Sequence, residues 1–469
     1  MSTMHCQSAE DLAQIFFAKL TSIIQTQGLD CRQTGIAVAF SGGLDSTVLL
    51  ALTSRYATQN QIPVFAYHVN HGLSSNAQQW QQHCAQICEE LNVQYRCELI
   101  SVKNEGQGIE AVARQKRYQA LGRMCELDQV SLLLVAHHLD DQAETMLMQL
   151  FRGTGLRGLS GMDECNFAPT LLGTKLTLLG RPLLSRSKLD IQNYAVANRL
   201  VNVEDESNLD TGYTRNVVRL RLMPLIEELF PGFPTRLMRT SQHVRAAQHL
   251  LDEIAADDLI RCGQDNVLNL TQMNQLDSDR ATHLFRYWLS RNLVQLPSTS
   301  KIAEIQAQLW TARDDARVQI RHGHFSICRY QHKIYLIDHQ NVSAHQGELS
   351  FIWNGEESIY FPELKGILRF HPGDSGVAVN TLRESTMVIR QRQVGARLRL
   401  GKNRPSRDLK SHFQTAKIPF WQREKLPYIY IEDQLFFVGL LGMDAAFIES
   451  KAAESGGDDI KIELIWVPD

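Results

Sequence analysis

The sequence predicts an α/β N-terminal domain with a parallel sheet, followed by a mainly helical middle domain and a small α+β C-terminal domain. The sheet is predicted from compact apolar runs at 36–40, 64–69 and 132–136, which alternate with amphipathic segments such as 78–91 and 109–126. Uniformly apolar strands are buried on both faces, and strands that alternate with helices pair in parallel. We therefore expect a parallel sheet packed between helices.

The other two domains are predicted from a change of pattern near residue 224. Segments 235–262 and 278–293 carry apolar residues at helical spacing, whereas 318–337 has the pattern of paired strands. The polar stretch 338–348 is typical of a linker, and the short apolar runs beyond it surround one expected helix. We predict three domains with these bounds: 1–222, 223–340 and 349–469.

Length and composition are those of a globular protein with several domains. The chain has 469 residues, of which 43% are hydrophobic and 21% charged, and its net charge is -3. Nine cysteines without framework spacing predict reduced thiols. The N-terminus lacks the pattern of a signal peptide, and no apolar run approaches the roughly 18 residues of a membrane span. The sequence therefore predicts a cytoplasmic protein without membrane association.

Two of the cysteines, Cys84 and Cys88, are four residues apart and share one face of the predicted helix. We interpret them as small buried side chains. A metal or redox site is the less favoured alternative, since the chain contains no C-x-x-C pair.

A loop at 41–46 has the composition of a phosphate cradle and lies between a predicted strand and a predicted helix. Its glycines let backbone amides approach an anion, its serines add hydroxyl donors, and the helix N-terminus adds partial positive charge. Phosphate would repel Asp45 unless a cation lay between them, so we interpret Asp45 as a Mg²⁺ ligand. The alternative, a serine-capped turn that binds nothing, is less favoured for the complete hexapeptide. Its residues are Ser41, Gly42, Gly43, Leu44, Asp45 and Ser46.

Two other phosphate-binding patterns are excluded. The chain has no G-x-x-x-x-G-K-[ST] sequence, so it is not a Walker-type nucleotide hydrolase. Residues 153–158 match G-x-G-x-x-G, but they follow the helix-like segment 143–151 rather than a strand. A nicotinamide site is therefore not predicted.

A second group of ionisable residues follows the strand predicted at 132–136, at the edge of the sheet where open α/β folds bind ligands. If a helix begins near Asp140, Asp141 and Glu144 share one of its faces, and His137 lies in the turn before it. Carboxylates there suit a cation held against phosphates, and a histidine suits a base for an incoming amine. The alternative is a capped helix with exposed acids in its first turn. Zinc is less favoured because adjacent histidines project in different directions and no other motif completes four ligands.

Basic residues form two further groups. Arg114, Arg117 and Tyr118 lie within one helical turn, either as a phosphate clamp or as a solvated helix face. The polar stretch 203–219 is equally compatible with a site wall and with an ordinary loop. Residues 390–425 hold eleven Lys or Arg against two acids, a local charge of +9. This predicts an RNA-binding surface, with solvated surface as the alternative, and four interleaved residues are candidates for base stacking: His412, Phe413, Phe420 and Trp421.

Together these segments resemble the tRNA(Ile)-lysidine synthetase family of the PP-loop (N-type) ATP pyrophosphatases, which have a Rossmann-like N-terminal domain. The loop alone specifies only the superfamily. The blocks H-H-x-D-D-Q-A-E and R-G-T-G-x-x-G-L select the family, and all the similar segments occur in family order within the first 220 residues. They are S-G-G-L-D-S (41–46), H-V-N-H-G-L (68–73), A-R-Q-K-R-Y (113–118), A-H-H-L-D-D-Q-A-E-T (136–145), R-G-T-G-L-R-G-L (152–159), R-P-L-L (181–184) and 204–219.

The resemblance implies a two-step ligation on the wobble cytidine of an isoleucine tRNA with the anticodon CAU. ATP adenylates the base at C2 and releases diphosphate. The ε-amine of free L-lysine then displaces AMP, which converts the codon specificity from AUG to AUA. The resemblance also implies that the middle and C-terminal domains bind tRNA, and it points to no obligatory protein partner.

The resemblance further implies roles for individual residues. Asp45 and Asp141 would hold Mg²⁺, and His137 would assist the lysine amine. Glu144 would order the catalytic loop and the substrates together with Asn208 and Arg219. The ATP contacts would be Ser41, Gly42, Gly43, Leu44, Asp45, Ser46 and either Arg114 or Arg117.

Three other functions are less compatible with the sequence. A PP-loop tRNA thiolase would show paired catalytic cysteines or an iron–sulfur C-x-x-C, and an amidating ligase would bring an ammonia-delivering domain. A catalytically inactive tRNA-binding relative would be expected to lose Asp45 or the acidic group at 140–144, and both are present.

Overall fold

The computed structural model of the chain divides into two compact units, Met1–Ile254 and Ala255–Asp469, which we call unit 1 and unit 2. None of the described helices combines the length and apolar character needed to cross a membrane. The structure describes residues 2–72, 76–101, 109–203, 214–264, 266–292, 294–313, 316–339, 347–401, 403–449 and 460–469.

Unit 1 is built on a six-stranded sheet with the order β3-β2-β1-β4-β6-β5. All neighbouring strands pair in parallel except β5, which pairs with β6 antiparallel. This confirms the predicted α/β class. The strands are β1 (Ile36–Ala39), β2 (Val64–Asn70), β3 (Gln94–Leu99), β4 (Leu132–Leu134), β5 (Cys165–Phe167) and β6 (Leu178–Gly180).

Helices connect these strands and continue past the last of them. A five-residue π-helical segment, Val218–Leu222, lies between α10 and α11, and the boundary between the units falls within α12. The helices are α1 (Ser2–Thr26), α2 (Cys31–Thr34), α3 (Leu44–Asn60), α4 (Ala77–Glu90), α5 (Ile109–Leu127), α6 (Leu139–Phe151), α7 (Leu156–Leu159), α8 (Pro169–Leu172), α9 (Lys188–Ala197), α10 (Thr214–Val217), α11 (Met223–Leu229) and α12 (Phe233–Cys262).

The sheet has an apolar layer on each face. Because successive side chains of a strand point to opposite faces, Ile36 and Val38 of β1 pack on one side with α1, α3 and α9, whereas Ala37 packs on the other side with α5. Leu132 and Leu133 of β4 divide in the same way, and all these side chains are fully buried. The carboxyl ends of β1, β4 and β6 therefore meet at one edge of a well-packed sheet.

Unit 2 begins with helices that pack on a five-stranded antiparallel sheet of the order β7-β8-β11-β10-β9. Phe285 and Trp288 are fully buried against Ile327 and Ile334 of this sheet, which confirms the predicted helical region with a small sheet. The helices are α13 (Leu270–Met273), α14 (Ser278–Arg291) and α15 (Thr299–Thr311). The strands are β7 (Gly263–Gln264), β8 (Val267–Asn269), β9 (Val318–His322), β10 (Phe325–Tyr330) and β11 (Lys333–Asp338).

The rest of unit 2 is the predicted α+β region. Its strands form three sheets, ordered β12-β15-β18-β19-β20, β13-β14-β21 and β16-β17. The strands are β12 (Leu349–Phe351), β13 (Ser358–Phe361), β14 (Gly366–Ala378), β15 (Met387–Arg390), β16 (Arg397–Leu398), β17 (Arg407–Asp408), β18 (Tyr428–Ile431), β19 (Gln434–Val438), β20 (Gly442–Met443) and β21 (Lys461–Pro468). The helices are α16 (Val379–Glu384), α17 (Leu409–Thr415), α18 (Phe420–Arg423) and α19 (Ala445–Glu449).

The long strand β14 was not predicted. It contains Pro372, Gly373 and Gly376, which interrupt the apolar pattern and are uncommon inside strands. The structure accommodates them through a shift in register with β21 between Pro372 and Val377. A bulge of this kind leaves residues unpaired, so a proline without an N–H group is tolerated there.

The close packing of α5 on α8 predicts the effect of a substitution at Gly122. A Cβ atom on Gly122 would lie 1.9 Å from the carbonyl oxygen of Leu172, a backbone atom that cannot move aside alone. Gly122→Ala should therefore destabilise unit 1 by about 2 kcal/mol, as overpacking does. At an unobstructed helix position the same change would stabilise by about 1 kcal/mol.

Urea denaturation of the full chain, with hydrogen–deuterium exchange followed in the α5 and α8 peptides, measures this effect. Gln115→Ala on the exposed side of α5 is the control, and it should change stability by less than about 0.5 kcal/mol. Equal or slower exchange in Gly122→Ala would show that the contact is relieved at no cost.

Candidate active site

The loop at 41–46 turns the chain from β1 into α3. Gly42 has a φ of +83°, and a Cβ atom there would lie 2.8 Å from Sγ of Cys84, so both the backbone conformation and the space require glycine. Ser46 donates its hydroxyl to the carbonyl of Gly43 at 2.9 Å, and its oxygen lies 3.0 Å from the hydroxyl of Ser41. Because α3 begins at Leu44, the free N–H groups of its first turn lie beside these hydroxyls. The loop thus has the local geometry of an anion site.

Asp45 lies in the first turn of α3. Its Oδ2 atom is 3.7 Å from Nε2 of His138, which follows β4. Its Oδ1 atom is buried and has no hydrogen-bond partner within the described part of the chain. A buried carboxylate oxygen without a partner is costly, and a bound cation would satisfy it.

His138 joins the two acidic segments. It is the residue before α6, its backbone N–H donates to Oδ2 of Asp141 at 3.1 Å, and its ring is buried. The ring nitrogens lie 3.4 Å from Asp140, 3.5 Å from Asp141 and 3.7 Å from Asp45. Burial alone would lower the pKa of His138, but these carboxylates outweigh it and raise the pKa to about 10. His138 is therefore an imidazolium around which Asp45 and Asp141 converge.

Asp141 and Glu144 lie on one face of α6, as predicted, and bind two arginines. Arg219 contacts Glu144 at 2.5 Å and Asp141 at 2.9 Å, while Arg215 contacts them at 3.0 and 3.1 Å. The side chain of Glu144 is 1% exposed, so its charge depends on these two partners. Burial would raise the pKa of Asp141, but His138 and the arginines lower it to about 2.

Arg215 was missed by the sequence analysis, which named only Arg219. The sequence signal that could have identified Arg215 is its spacing from Arg219. Residues four apart share a face of a continuous helical segment. The structure has α10 running directly into the π-helical segment, and both guanidinium groups reach the same two carboxylates. The predicted ordering residues Glu144 and Arg219 are thus in contact, while Asn208 lies in 204–213, outside the described residues.

The predicted Mg²⁺ ligands, Asp45 and Asp141, fit a cation to different degrees. Oδ1 of Asp45 is open. Oδ1 of Asp141 accepts from Arg215 and Arg219, and Oδ2 accepts from the His138 N–H group. A carboxylate has about four lone-pair sites, so Asp141 retains capacity for a cation beside these contacts.

His137 lies between β4 and α6, in the turn where it was predicted. Burial, reinforced by the charges of Arg181, Arg114 and Arg215 and opposed by Asp141, lowers the pKa of His137 to about 3. The imidazole is therefore neutral at physiological pH. Its Nδ1 atom is buried without a hydrogen-bond partner in the described part of the chain.

Arg114 and Arg117 both lie against Tyr118, whose ring is buried. The guanidinium carbons are 5.0 and 5.5 Å from the ring centroid. Burial and the charges of Arg114 and Arg215 lower the pKa of Arg117. Arg114 also acts on His137 through its charge, together with Arg181 and Arg215, so this helix face is not merely solvated.

Cys84 and Cys88 are buried, as predicted. Burial raises the pKa of each thiol to about 12, so neither is a reactive thiolate at neutral pH. Cys84 instead packs against the glycine loop, where its sulfur fills the space beside Gly42.

The basic stretch 390–425 differs from prediction in its aromatic residues. Phe413 is fully buried in the core of unit 2, and Trp421 packs against Tyr330 and Tyr335 at centroid distances of 6.1 and 5.1 Å. Phe413 is therefore not available for base stacking, whereas His412, Phe420 and Trp421 are partly exposed and their stacking role stays a prediction. Several of the basic side chains are exposed: Arg392, Arg397, Arg404, Arg407, Lys410, Lys417 and Lys425.

Comparison with protein families gives three matches along the chain. A PP-loop domain matches residues 12–226, a TilS substrate binding domain matches 268–335, and a TilS substrate C-terminal domain matches 387–461. These matches cover the glycine loop, the acidic helix and both arginines of the ion-pair network.

Full-length relatives give the same result. The chain is 33% identical to the tRNA(Ile)-lysidine synthase of Nitrosomonas europaea, over 94% of this chain and 93% of the relative. It is 34% identical to the enzyme of that name from Burkholderia pseudomallei, over 93% and 94% of the two chains. For the corresponding protein of Shigella flexneri the identity is 35%, over 95% and 99%.

The ion-pair network predicts a non-additive effect of two substitutions. Arg219→Met leaves the buried Glu144 with one arginine and should destabilise unit 1 by about 3 kcal/mol. Glu144→Gln in the same chain removes the unpaired charge, so the double variant should be more stable than the sum of the single effects by about 1–2 kcal/mol.

Denaturant unfolding of the four proteins of this cycle measures the coupling. Arg221→Met is the control, because Arg221 is exposed and forms no ion pair within the described residues. Additive effects of the two substitutions would contradict the network.

Proposed function

Because the chain belongs to the tRNA(Ile)-lysidine synthase family, we propose that it ligates free L-lysine to the wobble cytidine of an isoleucine tRNA with the anticodon CAU. The family match supports an ATP-dependent ligase that acts on tRNA(Ile). The observation that carries the proposal is the convergence of Asp45 and Asp141 on His138 beside the glycine loop.

The first step is adenylation of the base. The carbonyl oxygen at C2 of cytidine attacks the α-phosphorus of ATP, and the bond to the diphosphate breaks. The carbonyl oxygen, a poor leaving group on its own, then departs as part of AMP. The hydroxyls of Ser41 and Ser46 and the N–H groups of the first turn of α3 are placed to hold the departing diphosphate. Either Arg114 or Arg117 contacts the nucleotide in this proposal.

Mg²⁺ would be held by Asp45 and Asp141 and would supply positive charge against the phosphates. The open Oδ1 atom of Asp45 supports this assignment. His138 keeps both carboxylates oriented toward the same point. Arg215 and Arg219 contact the other carboxylate oxygen of Asp141, Oδ1, and hold it in place.

The second step is attack of the lysine ε-amine on C2, with cleavage of the bond between C2 and the oxygen carried by AMP. The attacking amine must be neutral and must lose a proton as the new bond forms. His137 is neutral, so one ring nitrogen has a lone pair that can accept a hydrogen bond from this amine. Glu144, Arg219 and Asn208 are assigned to the ordering of the catalytic loop.

Binding of the tRNA is assigned to the two regions that follow the catalytic domain, 223–340 and 349–469. The exposed basic side chains of 390–425 support this division. They do not contribute to the packing of the core, and their positive charge suits the phosphates of tRNA. A tRNA thiolase is not favoured, because the cysteines Cys84, Cys88, Cys125 and Cys328 are buried thiols with raised pKa values.

The function is tested by incubation of the protein with CAU-anticodon tRNA, ATP and labelled lysine. Lysine should be transferred to the tRNA with release of AMP and diphosphate. Asp45→Asn should reduce diphosphate release at least about 100-fold, because the open carboxylate oxygen is lost, while tRNA affinity stays unchanged. Asp11→Asn, an exposed change on α1, serves as the control.

Two results would contradict the proposal. The first is diphosphate release that depends on another acceptor, without transfer of lysine. The second is a loss of tRNA affinity in Asp45→Asn, which would show that the catalytic loop and tRNA binding are not separate.

The basic stretch predicts the salt dependence of tRNA binding. Replacement of Arg404 and Arg407 by glutamine should weaken binding and reduce the slope of log K against log salt concentration by about 1.5. Filter binding at several salt concentrations measures this slope. A variant with Arg32 and Lys175 replaced by glutamine has the same change of charge outside the stretch, and its slope should be unchanged. Equal slopes in both variants and in the wild type would show that the basic stretch is a solvated surface that does not contact the tRNA.

A further inference from the structure

The segment H-V-N-H-G-L (68–73) has no part in the chemistry proposed above, although its first residue lies beside the glycine loop. His68 is in β2, one residue beyond Tyr67, which is the partner of Ala39 in β1. Its ring is buried, and Nδ1 lies 3.0 Å from the carbonyl oxygen of Phe40, the residue between β1 and the loop. A carbonyl oxygen can only accept a hydrogen bond, so the proton lies on Nδ1.

The ring of His68 is neutral and has a single N–H donor. Burial lowers the pKa of His68, and the hydrogen bond to the backbone of Phe40 opposes this shift. The one N–H group that a neutral imidazole carries is therefore used on Phe40. This bond extends the attachment of β1 to β2 by one residue beyond the last pair of the two strands, Ala39 and Tyr67.

The bond from His68 holds one end of the first peptide unit of the loop. The carbonyl of Phe40 and the N–H group of Ser41 lie in one rigid plane. This N–H group donates to Oγ of Ser46 at 3.3 Å, and the same oxygen lies 3.0 Å from the hydroxyl of Ser41. The plane is thus held at its carbonyl by β2 and at its N–H group by α3. A rotation away from His68 would also disturb both hydroxyls that are assigned to the diphosphate.

The far end of the loop has contacts of its own. The carbonyl of Gly42 accepts from the backbone N–H group of Val203 at 2.9 Å and from the hydroxyl of Thr47 at 3.3 Å. The N–H group of Phe40 donates to the carbonyl of Tyr67 at 2.9 Å. Loss of the ring bond would therefore release the first peptide unit of the loop, while β1 and the far end of the loop keep their contacts.

We propose that His68 is a positioning residue for the diphosphate cradle. Its hydrogen bond to Phe40 sets the orientation of the first peptide unit and, through it, the direction of the Ser41 and Ser46 hydroxyls. His68 acts through these residues and does not itself contact the nucleotide. The inference rests on the proposed function, because it concerns the diphosphate that adenylation releases.

An isosteric pair of variants separates this role from packing. In His68→Asn the amide nitrogen takes the position of Nδ1 and can donate, whereas His68→Leu has a similar shape without a donor. The probes are diphosphate with Mg²⁺ and AMP, which lacks the β- and γ-phosphates, and binding to the full chain is measured by titration calorimetry. His68→Leu should weaken diphosphate binding by about 10-fold, the effect of one hydrogen bond, and change AMP binding by less than about twofold. His68→Asn should restore diphosphate binding to within about threefold of the wild type.

Tyr67→Phe is the matched control. Tyr67 is the neighbouring residue of β2, its side chain is buried on the other face of the sheet, and its hydroxyl donates to Asp128 at 2.9 Å. The change removes one hydrogen bond from the same strand. It should therefore lower stability in urea about as much as His68→Leu does, while the affinity for diphosphate stays unchanged.

Unchanged diphosphate affinity in His68→Leu would overturn the inference, as would equal losses for diphosphate and AMP or a failure of His68→Asn to recover binding. If His68→Leu folds poorly, His68→Gln takes its place, because its amide nitrogen lies farther from the backbone than Nδ1 does. Diphosphate affinity in His68→Gln equal to that in His68→Asn would then contradict the assigned bond. The proposed function fails separately, if the wild-type protein binds diphosphate but transfers no lysine.

Discussion

The site depends on the burial of two carboxylates, those of Asp141 and Glu144, at the start of α6. A buried charge is stable only when cations and hydrogen bonds surround it, and here the cations come from two separate parts of the chain. His138 approaches from the turn after β4, and Arg215 and Arg219 come from a helical segment some 70 residues later. The same His138 ring holds Asp45 of α3. The need to compensate these buried charges therefore fixes the positions of α3, α6 and the segment with Arg215 and Arg219 relative to one another.

This arrangement also separates the charges of the site into two regions. Carboxylates surround His138 and raise its pKa, whereas burial, reinforced by three guanidinium groups, lowers the pKa of His137. Two adjacent histidines consequently have opposite protonation states at neutral pH, one neutral and one charged. The negative region suits a cation that accompanies phosphates, and the positive region suits a small anion.

Much of unit 1 could be predicted from the sequence, because buried parallel strands and their helices have distinctive apolar patterns. Asp45 could be named from its place in the glycine loop, and Asp141 and Glu144 from their spacing on a helix. The role of His138 could not, because it follows from the pairing of β1 with β4, which are far apart in sequence. The position of Arg181 at the site could not be predicted, because nothing in its sequence context distinguishes it. The strand β14 could not be predicted, because its proline and glycines interrupt the apolar pattern. Phe413 shows the converse limit. A ring near basic residues suggests stacking, and only the fold reveals that Phe413 is fully buried in the core of unit 2.

The contact between Gly42 and Cys84 has a consequence for sequence variation. The sulfur atom occupies the space that any side chain on residue 42 would need, and the positive φ at this position favours glycine as well. Conversely, a larger residue at position 84 would push the loop out of its conformation even though α4 bears no catalytic group. Substitutions at position 84 are therefore limited to residues no larger than cysteine, although this position lies outside the loop.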